Sequence, residues 1–210
     1  MEYREFSDRT VSDKEAILFQ HIETILNHPY KREMPPRWFI SFGALLYFLR
    51  DKKMGKKLRQ DVDISVFEDA PVKNIIDSFT QYQFKVRTYM VDDVTNKPLH
   101  VVLKGYLDVD IFIWIKANGY YWHTYDHDMS GEKVPKQYVW KGTPCELMDG
   151  EVWKYHWDER VSPLNFPRLY GSLMDYWYPG WYVPDARFGQ SRCEKIVKLK
   201  TCKNLKEHLK

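Results

Sequence analysis

Apolar residues recur along this chain with two periods, and the changes of period mark out its elements. Ser12 and Glu15 fit a capping box, and Ile17, Leu18, His21, Ile22, Ile25 and Leu26 follow at helical spacing up to Pro29. An amphipathic helix is therefore predicted over residues 12–27. After Pro35-Pro36, the run Trp38-Phe39-Ile40-Ser41-Phe42 reads as a short buried strand, Gly43 as a turn, and Ala44 to Arg50 as a helix. Val62 to Phe67 is a second strand and Lys73 to Tyr82 a further helix. Phe84 to Val91, Leu99 to Leu103 and Leu107 to Ile115 read as three more strands, and the close spacing of the last two predicts a hairpin. Residues from about 36 to 116 thus form the core of an α/β (α+β) fold, a mixed β-sheet with flanking helices.

Beyond Lys116 the periodicity is poorer. Turns at Asn118-Gly119, Ser130-Gly131 and Asp149-Gly150 alternate with aromatic pieces, which predicts short strands and long ordered loops over 117–190. Sixteen aromatic residues fall between Tyr120 and Tyr182. Val152-Trp153-Lys154-Tyr155-His156-Trp157 alternates as a hairpin with one aromatic face buried. From about Ser191, Ile196, Leu199, Cys202, Leu205 and Leu209 form one apolar stripe among lysines, so residues 191–210 are predicted to be a basic helix.

At 210 residues the chain is read as one domain with these elaborations. No stretch approaches the roughly 20 apolar residues that cross a bilayer, and Met1 to Phe6 lack the apolar core of a signal peptide. Together with three cysteines, Cys145, Cys193 and Cys202, at no zinc or disulfide spacing, this predicts a cytoplasmic protein. A formal charge of +3 is too small for general nucleic-acid affinity, so no nucleic-acid partner is expected. The charge is uneven, however: the last sixteen residues carry six lysines against one glutamate. Most helices of this kind dock on their own domain; for a membrane-borne substrate, the lysines would also hold the protein peripherally against an anionic inner membrane face.

The candidate chemistry begins with Asp61-Val62-Asp63. Two carboxylates one residue apart on a strand point to the same face, where their repulsion is tolerable only in solvent or beside a cation. Asp108-Val109-Asp110 repeats the pattern within an otherwise apolar strand. Two such pairs on neighbouring strands predict a shared cleft and a metal site, suited to magnesium when phosphates complete its oxygen shell. Gly43-Ala44 stands at a strand-to-helix turn whose backbone N–H groups could hold a phosphate. Arg50 and the cluster Lys52, Lys53, Lys56, Lys57 and Arg59 lie between the two motifs; the lysines are best read as a solvated loop, and Arg50 equally well as a phosphate ligand. Tyr120, Tyr121, Trp122, Trp140, Trp153, Tyr155 and Trp157 could stack on a sugar or cage a quaternary ammonium, although core packing is the first reading for each. His123, His127 and His156 are read as structural or surface residues.

The order of glycine turn, helix, D-x-D strand and later carboxylate strand is that of the nucleotidyltransferase superfamily. More narrowly, the chain resembles the LicD and fukutin family of phosphotransferases. The resemblance rests on Phe42-Gly43-Ala44-Leu45-Leu46 with Arg50, Asp61-Val62-Asp63-Ile64, Val109-Asp110-Ile111-Phe112 and Arg168-Leu169-Tyr170-Gly171, and covers residues 38 to about 180. It departs at Ala44, where the family often has Thr or Ser, and at Leu58-Arg59-Gln60, where the family often has Trp-Asp-Asp.

The resemblance implies a nucleotidyltransferase-like fold and a magnesium ion, or manganese in its place, on Asp61, Asp63 and Asp110. Asp108 or Asp110 would act as the base, with Gly43, Ala44, Arg50 and Arg168 toward the donor. It also implies transfer of a phospho-alcohol (phosphocholine, glycerol phosphate or ribitol phosphate) from a CDP-activated alcohol donor to a glycan or lipid-linked glycan acceptor. Two rivals remain: transfer of NMP from an NTP, which would use the same carboxylates, and a catalytically silent glycan-binding protein.

Overall fold

The computed structural model describes residues 13–27, 37–51, 61–91, 97–127, 136–140, 142–155, 163–182 and 196–198. Helix α1 (Asp13–Asn27) precedes strand β1 (Trp38–Ile40), helix α2 (Phe42–Leu46) and a π turn over Tyr47–Asp51. Strand β2 (Asp61–Phe67), helix α3 (Val72–Gln81) and strands β3 (Lys85–Val91), β4 (Pro98–Lys104) and β5 (Asp108–Ala117) follow. The central sheet runs β1-β2-β5-β4-β3, with β2 and β5 parallel and the other neighbours antiparallel. The hairpin expected between Leu99 and Ile115 is the β4–β5 pair.

Alternation along β2 and β5 explains why the sheet is buried on one side and divided on the other. Val62, Ile64 and Val66 share a face with Val109, Ile111 and Ile113, and all six are buried. They join one core with Leu18, Ile22 and Leu26 of α1 and Ile75 and Phe79 of α3, two helices that pack on each other. The opposite face carries Asp61, Asp63, Ser65 and Phe67 beside Asp108, Asp110, Phe112 and Trp114. Its first half is acidic and its second half aromatic. Trp114 Nε1 donates to Ser65 Oγ at 2.8 Å, which satisfies both polar groups where that half is closed over.

The aromatic region does not stand apart from this core. Strands β6 (Tyr120–Trp122) and β9 (Thr143–Pro144) extend the sheet, and helix α4 (Cys145–Met148) follows. A two-stranded sheet pairs β10 (Val152–Tyr155) with β11 (Leu164–Pro167), and helix α5 (Tyr170–Trp177) succeeds it. Trp177 of α5 stacks on Phe42 at 4.5 Å and on Trp114 at 5.9 Å, ring centre to ring centre, so the late helix roofs the early sheet. Asn118 and Gly119, with φ of 52° and 77°, form the tight turn between β5 and β6 that an Asn-Gly pair favours.

Two sequence expectations are corrected. Phe42, read as the end of a strand, begins α2 with φ of 42°, a left-handed conformation that is costly for an aromatic residue and is held by its packing. The helix expected over 191–210 does not run through its described residues: Ile196–Lys198 form strand β12, paired antiparallel with Tyr138–Trp140 of β8 (Lys136–Trp140). Two consecutive β-branched residues, Ile196-Val197, suit that ladder. β8 also pairs with β7 (Thr124–His127), and the rest of 191–210 lies outside the described residues. Among the described residues no helix is long and apolar enough to cross a membrane.

Candidate metal centre

The site is built by register. β2 and β5 pair in parallel with Asp61 opposite Asp108 and Asp63 opposite Asp110, so the two D-x-D motifs lie side by side on one face. One carboxylate oxygen from each of Asp61, Asp63 and Asp110 lies within 4.8 Å of the other two. Three hard oxygen donors at this spacing fit a hard divalent cation. Asp108 shares the face but is otherwise engaged: its Oδ2 meets Lys104 Nζ at 2.8 Å, and its Oδ1 accepts from the Gly105 amide at 3.5 Å.

Asp63 is fixed by the turn that enters α2. The Ala44 amide donates to Asp63 Oδ2 at 3.0 Å, and the Ser41 amide donates to the Asp63 carbonyl, also at 3.0 Å. A Cβ placed on Gly43 would lie 3.0 Å from the same Oδ2, so glycine is the residue that permits this approach. The left-handed Phe42 sets the direction of the turn, and its ring is clamped by Phe112, Trp114, His123 and Trp177. The amides that the sequence assigned to a phosphate thus hold a carboxylate.

The electrostatics are those of an incompletely neutralised acidic cluster. Burial pushes the Asp63 carboxyl well above the usual carboxylate range, and the charges of Asp110 and Asp61 push it further, against the Ala44 and Gly43 amides. Burial, with Asp61 and Asp108, raises Asp110 to about 7, against the pull of Arg87 and Lys104. A cation among the three would reverse both shifts, because it stabilises the ionised forms.

The other residues singled out in the sequence sit in several elements of the fold. Arg50 is buried, and its Nη1 donates to the Trp181 carbonyl at 2.9 Å, tying the π turn to the segment after α5. Arg168 is exposed in the turn before α5. The basic cluster at 52–60 lies outside the described residues, as do Trp157, His156 and the side chains of Trp140 and His127. Tyr121 is buried, Tyr155 stacks on Phe166, and His123 is enclosed by Phe42, Phe112 and Trp114, all as core packing predicts. Tyr120 and Trp153 are each 43% exposed.

Asp149 belongs to a separate clamp. It accepts from Tyr121 Oη at 2.6 Å and meets Lys116 Nζ at 2.7 Å, while Arg37 donates to Tyr121 Oη at 3.0 Å. Lys116 is six residues along β5 from Asp110, about 20 Å away at the strand's rise, so this network is remote from the carboxylates.

Two residues near the site carry no sequence signal. Arg87 sits at a register shift in β3 that only pairing reveals. His100 lies flat on Phe112, with ring centres 4.7 Å apart, and neither ring nitrogen has a hydrogen-bond partner among the described residues; burial lowers its imidazole to about 4, so it is neutral. No protein-family model matches the sequence, and a search of curated proteins finds no match.

Proposed function

We propose that this protein is a divalent-metal-dependent phosphotransferase that moves a phospho-alcohol from a CDP-activated donor to a glycan hydroxyl. The observation that carries the reading is the parallel, in-register pairing of Asp61-Val62-Asp63 with Asp108-Val109-Asp110 beside the Gly43-Ala44 turn. The resemblance to LicD and fukutin phosphotransferases, and to the nucleotidyltransferase-like fold, supplies the donor and acceptor classes.

A magnesium ion held by Asp61, Asp63 and Asp110 would supply charge neutralisation for the donor diphosphate. The chain's own part is positioning. Asp63, locked by the Ala44 amide, keeps one ligand oxygen in place without side-chain freedom. The acceptor oxygen attacks the phosphorus bearing the alcohol, the bond from that phosphorus to the CMP oxygen breaks, and CMP departs. The proton of the acceptor hydroxyl passes to Asp108, the carboxylate on the same face that stands outside the metal-binding triad and is held by Lys104 at 2.8 Å.

The test is a thermal-shift panel of CDP-choline, CDP-ethanolamine, CDP-glycerol, CDP-ribitol and the four NTPs, each with and without magnesium. Magnesium-dependent stabilisation by a CDP-alcohol, followed by release of CMP in the presence of a glycan acceptor, is expected. Stabilisation by NTPs alone with pyrophosphate release would replace this reading with nucleotidyl transfer. Glycan binding indifferent to metal and nucleotide would replace it with a non-catalytic role.

A further inference from the structure

The acidic face of the sheet has a basic edge. From β2 the strand order continues through β5 and β4 to β3, and charge changes sign along it: Asp61, Asp63, Asp108 and Asp110 on the first two strands, Lys104, Lys85 and Arg87 on the last two. Lys85 pairs with Lys104, a like-charge contact relieved by Asp108, whose carboxylate sits 2.8 Å from the Lys104 ammonium. Arg87 is different. It is exposed, and it makes no ion pair or hydrogen bond among the described residues.

The backbone explains where Arg87 points. β3 pairs Val86 with Leu103 and Thr88 with Val102, so the register shift between them leaves Arg87 as an extra residue facing Val102 together with Thr88. Val102 in turn pairs with Asp110, and Asp110 with Asp63. A single transverse row therefore runs Asp63, Asp110, Val102, Arg87. Two strand spacings, about 10 Å, separate the ends of its Asp110–Arg87 portion. An extended arginine and one phosphate group span that distance together.

We propose that Arg87 is the phosphate grip of this site, binding the non-bridging oxygens of a diphosphate whose other oxygens meet a divalent cation at Asp61, Asp63 and Asp110. The inference rests on the metal-centre reading above and adds the group that receives the substrate's charge. A planar guanidinium at the rim suits it, because its fork matches two phosphate oxygens at once. Arg50, by contrast, is buried, with its Nη1 on the Trp181 carbonyl.

The experiment measures Mn2+ binding, and then inorganic pyrophosphate binding to the Mn2+-loaded full chain, for wild type, Arg87→Gln and Arg87→Lys. Arg87→Gln is expected to weaken pyrophosphate about 10- to 100-fold while leaving Mn2+ affinity unchanged or raised a few-fold, since a neighbouring positive charge is removed. Arg87→Lys should recover part of the pyrophosphate affinity, which a purely structural role for Arg87 would not do. Equal pyrophosphate affinity in wild type and Arg87→Gln overturns the inference and leaves the metal centre standing, as does a Mn2+-loaded wild type that binds no pyrophosphate. A wild type that binds no Mn2+ overturns both.

Discussion

Asp63 Oδ2 sits 3.0 Å from the Ala44 amide, so a side chain on the D-x-D strand is held by the first turn of the helix that precedes it in the chain. This bond links three otherwise separate features: the left-handed Phe42, the missing Cβ of Gly43 and a carboxylate of the acidic triad. It fixes the ligand before any ion arrives, which lowers the ordering cost of binding.

Gly43→Val should test that link directly. Its Cβ would begin 3.0 Å from Asp63 Oδ2, and the added methyl groups would displace the carboxylate. Because residue 43 is exposed, the fold should survive. Mn2+ affinity by titration calorimetry is expected to fall at least tenfold with Tm nearly unchanged; an unaltered affinity would show that Asp63 needs no such placement.

Asp63→Asn should act in opposite directions on activity and on stability. Turnover is expected to drop by orders of magnitude, because a metal ligand is lost without loss of volume. In EDTA at pH 8 the variant should melt higher than wild type, since folding no longer carries a carboxylate whose ionised form is disfavoured by burial and by the charges of Asp110 and Asp61. A lower Tm would argue that the three carboxylates are not crowded in solution.

The pH dependence follows from Asp110. Its folded value, about 7, lies above the ordinary carboxylate value of 3.8, so the folded state holds a proton that the unfolded chain has released over that interval. Stability from this group is therefore complete below pH 3.8 and is lost as pH rises to 7, an effect of a few kcal/mol at most. His100, lowered to about 4, acts the other way below pH 6.5, so the comparison should be made against Asp110→Asn, which retains His100. In EDTA, the difference in Tm between the two proteins should widen from pH 4 to pH 7, and magnesium should close it. A difference independent of pH would refute the assignment.

Trp177→Ala should destabilise by about 3–5 kcal/mol, the cost of a large core truncation. The ring stacks on Phe42 and Trp114, and its Nε1 donates to Thr143 Oγ1 at 3.0 Å. Since that packing holds Phe42 in its left-handed conformation, metal affinity should fall as well. Asp149→Ala is the contrast: it should lower Tm by a few degrees and leave Mn2+ affinity untouched, because its partner Lys116 lies at the far end of β5 and its partner Tyr121 beside that end on β6. Denaturation and calorimetry on both variants would separate the two roles.

Much of this arrangement was legible in the chain. The period-two alternation of Val62, Ile64 and Val66 against Asp61 and Asp63 identifies both the strand and its acidic face, because alternate residues on a strand must point to opposite sides. The same holds for Val109, Ile111 and Ile113 against Asp108 and Asp110, and α1 and α3 show helical spacing of comparable clarity. These are local relations, readable from neighbours a few residues apart.

What only the tertiary structure decided is which local pieces meet. Parallel pairing placed Asp63 beside Asp110, 47 positions further along the chain. Chain entry into α2 gave the Ala44 amide to Asp63 rather than to a phosphate, and packing from α5 held an aromatic residue where glycine is usual. Arg50 turned to a carbonyl 131 residues away, while a register shift with no compositional mark set Arg87 in the carboxylate row. Ile196–Lys198 joined a ladder that satisfies backbone groups on β8 instead of continuing a helix. Sequence by itself determined the faces of the strands, because side-chain direction is a local property; register, bulges and long-range hydrogen bonds depend on partners distant in the chain, and they determined what those faces enclose.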